Sequence, residues 1–142
     1  MTQPPREVPA AKPRATLRRK ERLLKTSQFK AAYGGRARAG DGRVVAYALA
    51  NGQAVTRLGV SVGRRLGGSV QRNRIKRLLR EAFRLARAGF PPGYDIVLVP
   101  LAPGGTFAEF QQSVRALVPE AIRRARAAAG RKGSAQGEGI TP

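Results

Sequence analysis

Between Gly63 and Arg87 the chain reads GRRLGGSVQRNRIKRLLREAFRLAR, in which nine residues are basic and only Glu81 opposes them. Arginine at that density suits the binding of phosphate, because each guanidinium presents a planar fork of donors to two oxygens at once. The spacing decides how the charges are displayed. Ile75, Leu78, Leu79, Ala82, Phe83 and Ala86 follow the i, i+3, i+4, i+7, i+8, i+11 series of one buried helix face. At about 100° per residue this sets Asn73, Lys76, Arg77, Arg80 and Arg84 on the opposite face, with Arg72 and Arg74 on its flanks. A basic stripe usually means no more than a solvated face. Such a face normally mixes Glu with Lys in i, i+4 pairs, and this one does not. Gly67 and Gly68 allow a tight turn ahead of the helix, Ser69 is the expected cap, and the free N–H groups there form a mild anion site.

A second set of residues could stack on bases. Thr26 or Ser27 is placed to cap a short helix, Gln28 to Tyr33, that stops at Gly34 and Gly35. Phe29 and Tyr33, four apart, share one side of it. Ordinary core packing is the simplest reading of that pair. Arg43 to Ala50 alternates as a strand, with Val45, Tyr47 and Leu49 on one face and Val44, Ala46 and Ala48 on the other. Tyr47 alone is a common half-buried sheet aromatic.

The chemistry of a protein nuclease is missing. It needs a general acid and base, or carboxylates spaced to hold a divalent metal. This chain has no His and no Cys, and its eight carboxylates (Glu7, Glu21, Asp41, Glu81, Asp95, Glu109, Glu120 and Glu138) form no close pair along the sequence. No catalytic residue and no metal ligand is assigned. The chain reads as a binding protein.

Composition points to the same partner. A net charge of +20 on 142 residues calls for a polyanion. A membrane is the rival polyanion, but there is no Trp, the apolar face of the basic helix looks like core, and no run of 18 apolar residues occurs. Absence of Cys suits a reducing cytosol, and the N-terminus lacks the apolar segment of a signal peptide, so a cytoplasmic protein is expected.

The elements that must position these residues follow in order. Residues 1–15, with four prolines, are expected to be a disordered basic tail, and residues 16–129 a single RNA-binding domain. Arg36 to Ala39 suggests a short edge strand. Val55 to Val62 is expected to return from Arg43–Ala50 as an antiparallel hairpin through Asn51, Gly52 and Gln53, with Leu58, Val60 and Val62 on one face. Gly89, Pro91, Pro92 and Gly93 stop the basic helix, and Tyr94 to Pro100 is a nearly continuous apolar strand of the kind found inside a sheet. Strand, helix, strand then predicts a parallel pair joined by the basic helix, by default right-handed. Thr106 and Glu109 form a capping box that opens a last helix carrying Phe110, Val114, Leu117 and Ala121, with a kink or a new start at Pro119 and an end at Gly130. Residues 130–142 are expected to be a disordered Gly-rich tail. The fold class is α+β: a two-layer sandwich of a mixed four-stranded sheet with helices packed on it, in the order αβββαβα.

The run Arg64, Arg65, Gly67, Val70, Arg72, Asn73, Arg74, Ile75, Lys76, Arg77, Arg80, Glu81 closely resembles the signature of the bacterial ribonuclease P protein subunit, with its Arg-Asn-Arg core. The segment RLLKTSQFKAAY resembles that family's N-terminal segment. One departure is that Gly68 with Ser69 stands where the family usually has Asn ahead of the Ala/Ser-Val pair, so any role of that Asn does not carry over. The resemblance implies a left-handed crossover in place of the default one. It implies binding of a catalytic RNA subunit by Arg64, Arg65, Arg72, Asn73, Arg74, Lys76, Arg77 and Arg80. It also implies a cleft in which Lys25, Phe29, Tyr33, Val45 and Tyr47 hold the 5′ leader of precursor tRNA, an arrangement suited to an unpaired strand because every base has a face to stack. The implied activity is endonucleolytic removal of that leader by the RNA, with Mg2+ bound mainly by the RNA and none by the protein alone. The expected assembly is one protein with one RNA. A ribosomal or other structural RNA-binding protein without processing activity is the alternative.

Overall fold

The computed structural model describes residues 21–135, so the expected tail at residues 1–15 lies outside the described residues. Seven elements follow the predicted order: α1 (Thr26–Gly34), β1 (Arg38–Gly40), β2 (Val44–Ala50), β3 (Arg57–Val60), α2 (Ser69–Ala86), β4 (Tyr94–Pro100) and α3 (Phe107–Ala135). The strands make one mixed sheet in the order β1-β2-β4-β3, with β1 and β4 antiparallel to β2 and β3 parallel to β4. The strand-helix-strand unit β3-α2-β4 therefore joins the expected parallel pair.

The expected hairpin between β2 and β3 does not form. β4 lies between them, pairing Tyr47 with Val97 on one side and Leu58 with Ile96 on the other. The physical reason is in β4 itself. Apolar on both faces, with Ile96, Val97 and Leu98 fully buried, it gains most from the centre of the sheet. The turn residues are used otherwise: Asn51 Oδ1 accepts from Gln53 N at 2.8 Å, while Asn51 Nδ2 donates to Val55 O at 3.0 Å and to Asp95 Oδ1 on β4 at 2.8 Å.

One face of the sheet, through Val44, Ala46, Ala48, Leu58, Val60, Ile96 and Leu98, packs with Ile75, Leu79, Ala82 and Phe83 of α2 and Phe110, Val114, Val118 and Ile122 of α3. This is the main core, and it uses the apolar stripe of α2 as the periodicity requires. α1 covers part of the other face in a smaller cluster built on Leu23, Ala32 and Val97.

Local ends differ from expectation in three places. Neither Thr26 nor Ser27 caps α1; the cap position is Lys25, and Gln28 Oε1 accepts from the backbone N–H of Leu24 and Lys25 at 2.8 and 2.9 Å. Ser69 does not cap α2 either, because the cap position is Gly68 and Ser69 is already helical. In the first case a side-chain amide binds the two N–H groups just ahead of the helix, and in the second the cap position is an extended glycine with no side chain to accept a hydrogen bond. Lastly, α3 passes through Pro119 and Gly130 as one helix. Pro119 is exposed, so the carbonyl it leaves without an intrahelical donor faces water, and burial of Val118, Ala121 and Ile122 holds the helix together across it. The capping box at its start forms as expected, Thr106 N donating to Glu109 Oε1 at 3.0 Å and Glu109 N to Thr106 Oγ1 at 3.2 Å.

Candidate nucleic-acid interface

With its apolar stripe committed to the core, α2 turns Asn73, Arg74, Arg77 and Arg80 to solvent. Arg64 and Arg65, on a short 3-10 turn ahead of the helix, are exposed as well. Arg72 is half-buried and donates from Nε to Gly67 O at 3.1 Å, which fixes the turn, and Lys76 is also half-buried. Arg84 departs from the expected outward face: its side chain is only 9 % exposed and paired with Glu81. The open cationic surface is thus narrower than the helical wheel alone suggests, and it is formed by Arg64, Arg65, Asn73, Arg74, Arg77 and Arg80. Partial desolvation of the otherwise exposed Arg80 guanidinium, together with the charge of Arg22, holds its pKa below the ordinary arginine value.

The aromatic residues converge on the opposite side of the sheet. Tyr33 of α1 meets Tyr47 of β2 edge to face, with ring centroids 4.9 Å apart and planes at 72°. Phe29 lies over β3, where a Cβ on Gly59 would stand 2.6 Å from its Cζ. Only the missing side chain of Gly59 lets the ring rest on the strand. Phe29, Tyr33, Tyr47, Leu49 and Val99 pack on the smaller cluster but stay half-exposed, as does Val45, so this side offers a partly open apolar and aromatic floor. Lys25 sits exposed at the start of α1. Sequence reasoning missed two contributors. Gly59 carried no signal without its partner ring, and Arg38 becomes a neighbour of Tyr47 only through the register of β1 on β2.

The described carboxylates are all engaged. Asp95, 6 % exposed at its side chain, takes two hydrogen bonds from Arg57, Nε at 2.8 Å and Nη2 at 2.7 Å, and this pairing pushes the Arg57 pKa up. Asp41 accepts from Ser113 Oγ at 2.6 Å and from the N–H groups of Arg43 and Val44. Glu21 pairs with Arg87 at 2.9 Å, Glu81 with Arg84, Glu120 with Arg123 and Arg124, and Glu109 caps α3. Among the described residues no group of three or more acids, histidines or cysteines gathers where it could hold a metal ion. Nor is any described helix long and apolar enough to cross a membrane.

The model of the family described as Ribonuclease P matches residues 17–122. The chain belongs to the ribonuclease P protein family. A ribonuclease P protein component from Clostridium kluyveri is 38% identical over 104 residues, spanning 70% of this chain and 93% of the relative. Another, from Caldanaerobacter subterraneus subsp. tengcongensis, is 44% identical over 78 residues, 55% of this chain and 67% of that one. Among solved structures, the Staphylococcus aureus RNase P protein superposes with a TM-score of 0.60 at 30% identity, covering 66% of this chain and 88% of that one. The Thermotoga maritima RNase P protein gives 0.61 at 28%, covering 66% and 91%. Within this family the four-stranded mixed sheet with three helices is the shared architecture, and both of the surfaces described above fall inside the matched residues.

Proposed function

We propose that the chain is the protein component of a ribonuclease P that removes the 5′ leader of precursor tRNA, and that the cutting is done by its RNA partner. Family membership supports the tRNA-processing role. The observation that carries the division of labour is that every described carboxylate is tied to a cation, a cap or a hydroxyl, while two separate surfaces remain free to bind RNA.

In this reading Arg64, Arg65, Arg74, Arg77 and Arg80, aided by Arg72 and Lys76, hold phosphates of the folded catalytic RNA, and Asn73 orients the contact by donating and accepting. The floor of Phe29, Tyr33, Val45 and Tyr47 takes the unpaired leader, with Lys25 neutralising its backbone. The sheet separates the two surfaces, so one protein touches catalyst and substrate at the same time and draws them together. Magnesium is held mainly by the RNA, whose phosphates are acceptors of the kind that ion prefers. The assembly is one protein with one RNA, in the cytoplasm.

The test is reconstitution. The chain freed of RNA should leave precursor tRNA intact with magnesium present. Added to a bacterial ribonuclease P RNA at low magnesium, it should restore leader removal. Cleavage by the RNA-free chain, or turnover unchanged on adding it, would overturn the proposal.

A further inference from the structure

Past Ile122, where the family match ends, α3 continues as one helix to Ala135. Among the described side chains of these added turns only Ala125 is buried, so apolar burial does not account for them. Polar bonds hold them in place. Arg124 and Arg126, two apart, leave opposite flanks of the helix. Arg124 donates from Nη1 to Arg38 O on β1 at 2.7 Å, and Arg126 from Nε to the Tyr94 hydroxyl of β4 at 3.1 Å. The distal helix is thereby pinned on both flanks while its outer face stays open.

That face is cationic. Arg115, Arg123 and Arg126 stand at the i, i+8 and i+11 positions of one side, and all three are exposed. The Arg123 side chain is 72 % exposed even though it pairs with Glu120, and the Arg115 side chain has neither ion pair nor hydrogen bond among the described residues. After Glu120 the helix contains Arg123, Arg124, Arg126, Arg131 and Lys132 and no acid. Arginine near a helix C-terminus is ordinarily explained by the macrodipole. That effect is confined to the last turn, and Arg115 and Arg123 lie well short of it. A merely solvated face would mix its signs, since like charges one turn apart repel. A polyanion lying along the face removes that repulsion.

Two observations select the kind of polyanion. α3 packs beside α2 on the same face of the sheet, so its outer side lies in the same layer as Arg74, Arg77 and Arg80, across the sheet from the aromatic floor. Between its arginines stand Gln112, Ala116 and Pro119, with no aromatic ring on which an unpaired base could stack. A run of charges about 16 Å long without a stacking group suits double-stranded RNA, which is recognised by shape and backbone.

We infer that the outer face of α3, through Arg115, Arg123 and Arg126, is a docking surface for a duplex segment of the catalytic RNA, separate from the α2 face and running beside it. This inference rests on the reading of the chain as the protein partner of a catalytic RNA, and it can fail while the α2 face stands.

Because the chain has no Cys, the surface can be mapped from a single introduced thiol. Ala127→Cys, exposed on α3, carries one iron–EDTA group on the full chain, and the complex with a bacterial ribonuclease P RNA is then exposed to the hydroxyl radicals it releases. Cuts on both strands of one helical segment are expected. Cuts confined to unpaired RNA, or to precursor tRNA added to the complex, would overturn the duplex assignment, and the absence of cuts would overturn the surface.

Salt titration gives an independent reading. The double variant Arg115→Gln/Arg123→Gln should lower the slope of log affinity for the catalytic RNA against log salt by about 1.8, the effect of two phosphate contacts. Its Tm should stay at the wild-type value, because both side chains are exposed and the surface pair with Glu120 contributes little. Arg115→Lys/Arg123→Lys, which keeps both charges, should restore the slope; a structural role would instead move Tm and leave the slope alone. An unchanged slope in the double Gln variant beside a reduced one in Arg74→Ala would leave the α2 face standing and remove that of α3. Unchanged slopes in both would overturn the RNA reading of the whole helical layer.

Discussion

At Phe29 an observed packing role and the proposed leader-binding role meet in one side chain. The ring rests on the backbone of Gly59 and contributes to the small cluster, yet it stays half-exposed, so truncation should be felt in two measurements. Phe29→Ala should weaken binding of tRNA that carries a leader by roughly 1 to 3 kcal/mol, the usual worth of one stacked base. Mature tRNA, bound in parallel, should be affected much less; an equal loss would assign the ring to the core alone. Gly59→Ala approaches the same ring from beneath. Its methyl would stand 2.6 Å from Phe29 Cζ, and because a rigid ring cannot fold away, the strand and α1 must separate. Overpacking of this kind costs about 1 to 3 kcal/mol, measurable by urea unfolding, and leader affinity should fall with it. Unchanged leader affinity in a destabilised Gly59→Ala would separate Phe29 from the substrate.

At the scale of elements, two polar devices hold the sheet in its observed order. Arg57 on β3 and Asp95 on β4 are register partners, and their side chains, 18 % and 6 % exposed, form a bidentate pair reinforced by Asn51. Removing one partner of such a pair strands a buried charge. Arg57→Ala should therefore destabilise by about 3 kcal/mol, and Asp95→Asn added to it should recover part of the loss in chemical denaturation. The second device joins the β1–β2 turn to α3, where Asp41 accepts from Ser113 and Arg43 Nη1 donates to the same hydroxyl at 3.2 Å. Burial acts to raise the Asp41 pKa. The hydrogen bonds from Ser113, Val44 and Arg43, with the Arg43 charge, outweigh it and hold the group below its ordinary 3.8. A depressed folded value stabilises at pH above the unfolded one and loses that contribution as pH falls through the folded one. The stability advantage of the wild type over Asp41→Asn should then be present at neutral pH and shrink below about pH 4, read from urea midpoints across an acid series. An advantage that stays constant through that window would show that the carboxylate charge adds nothing.

For the molecule as a whole, the net charge of +20 makes salt the sensitive variable. Affinity for the catalytic RNA should fall linearly on a log–log plot against salt. Arg74→Ala, which removes one exposed guanidinium of α2, should weaken binding and reduce the slope by about 0.7 to 0.9. An unchanged slope would take Arg74 out of the phosphate contact. The sheet places the cationic helix and the aromatic floor on opposite sides, so Phe29→Ala should leave this slope near its wild-type value. Under the proposed function the two kinds of variant should therefore report on different RNAs.

Much of this was legible in the residues because it depends on short-range periodicity. Spacing along the chain committed one face of α2 to the core and freed the other, aligned Phe29 with Tyr33, and paired Thr106 with Glu109. The element order follows from the same local patterns. Strand neighbours do not. The hairpin expected from the short β2–β3 connection lost to β4, since burying a strand that is apolar on both faces releases more surface from water than closing the nearest turn. Capping depended on where the fold starts each helix, and so Lys25 and Gly68 hold the cap positions expected of hydroxyls. Contacts between distant residues, among them Phe29 over Gly59 and Arg57 with Asp95, have no signature along the chain because each partner is ordinary until the sheet brings the two together. The amino-acid order determined which faces are oily, which are charged and which segments form helices or strands; the tertiary structure decided which strands pair and which cations are left without an acid, because both are settled by burial shared between elements that are remote in sequence.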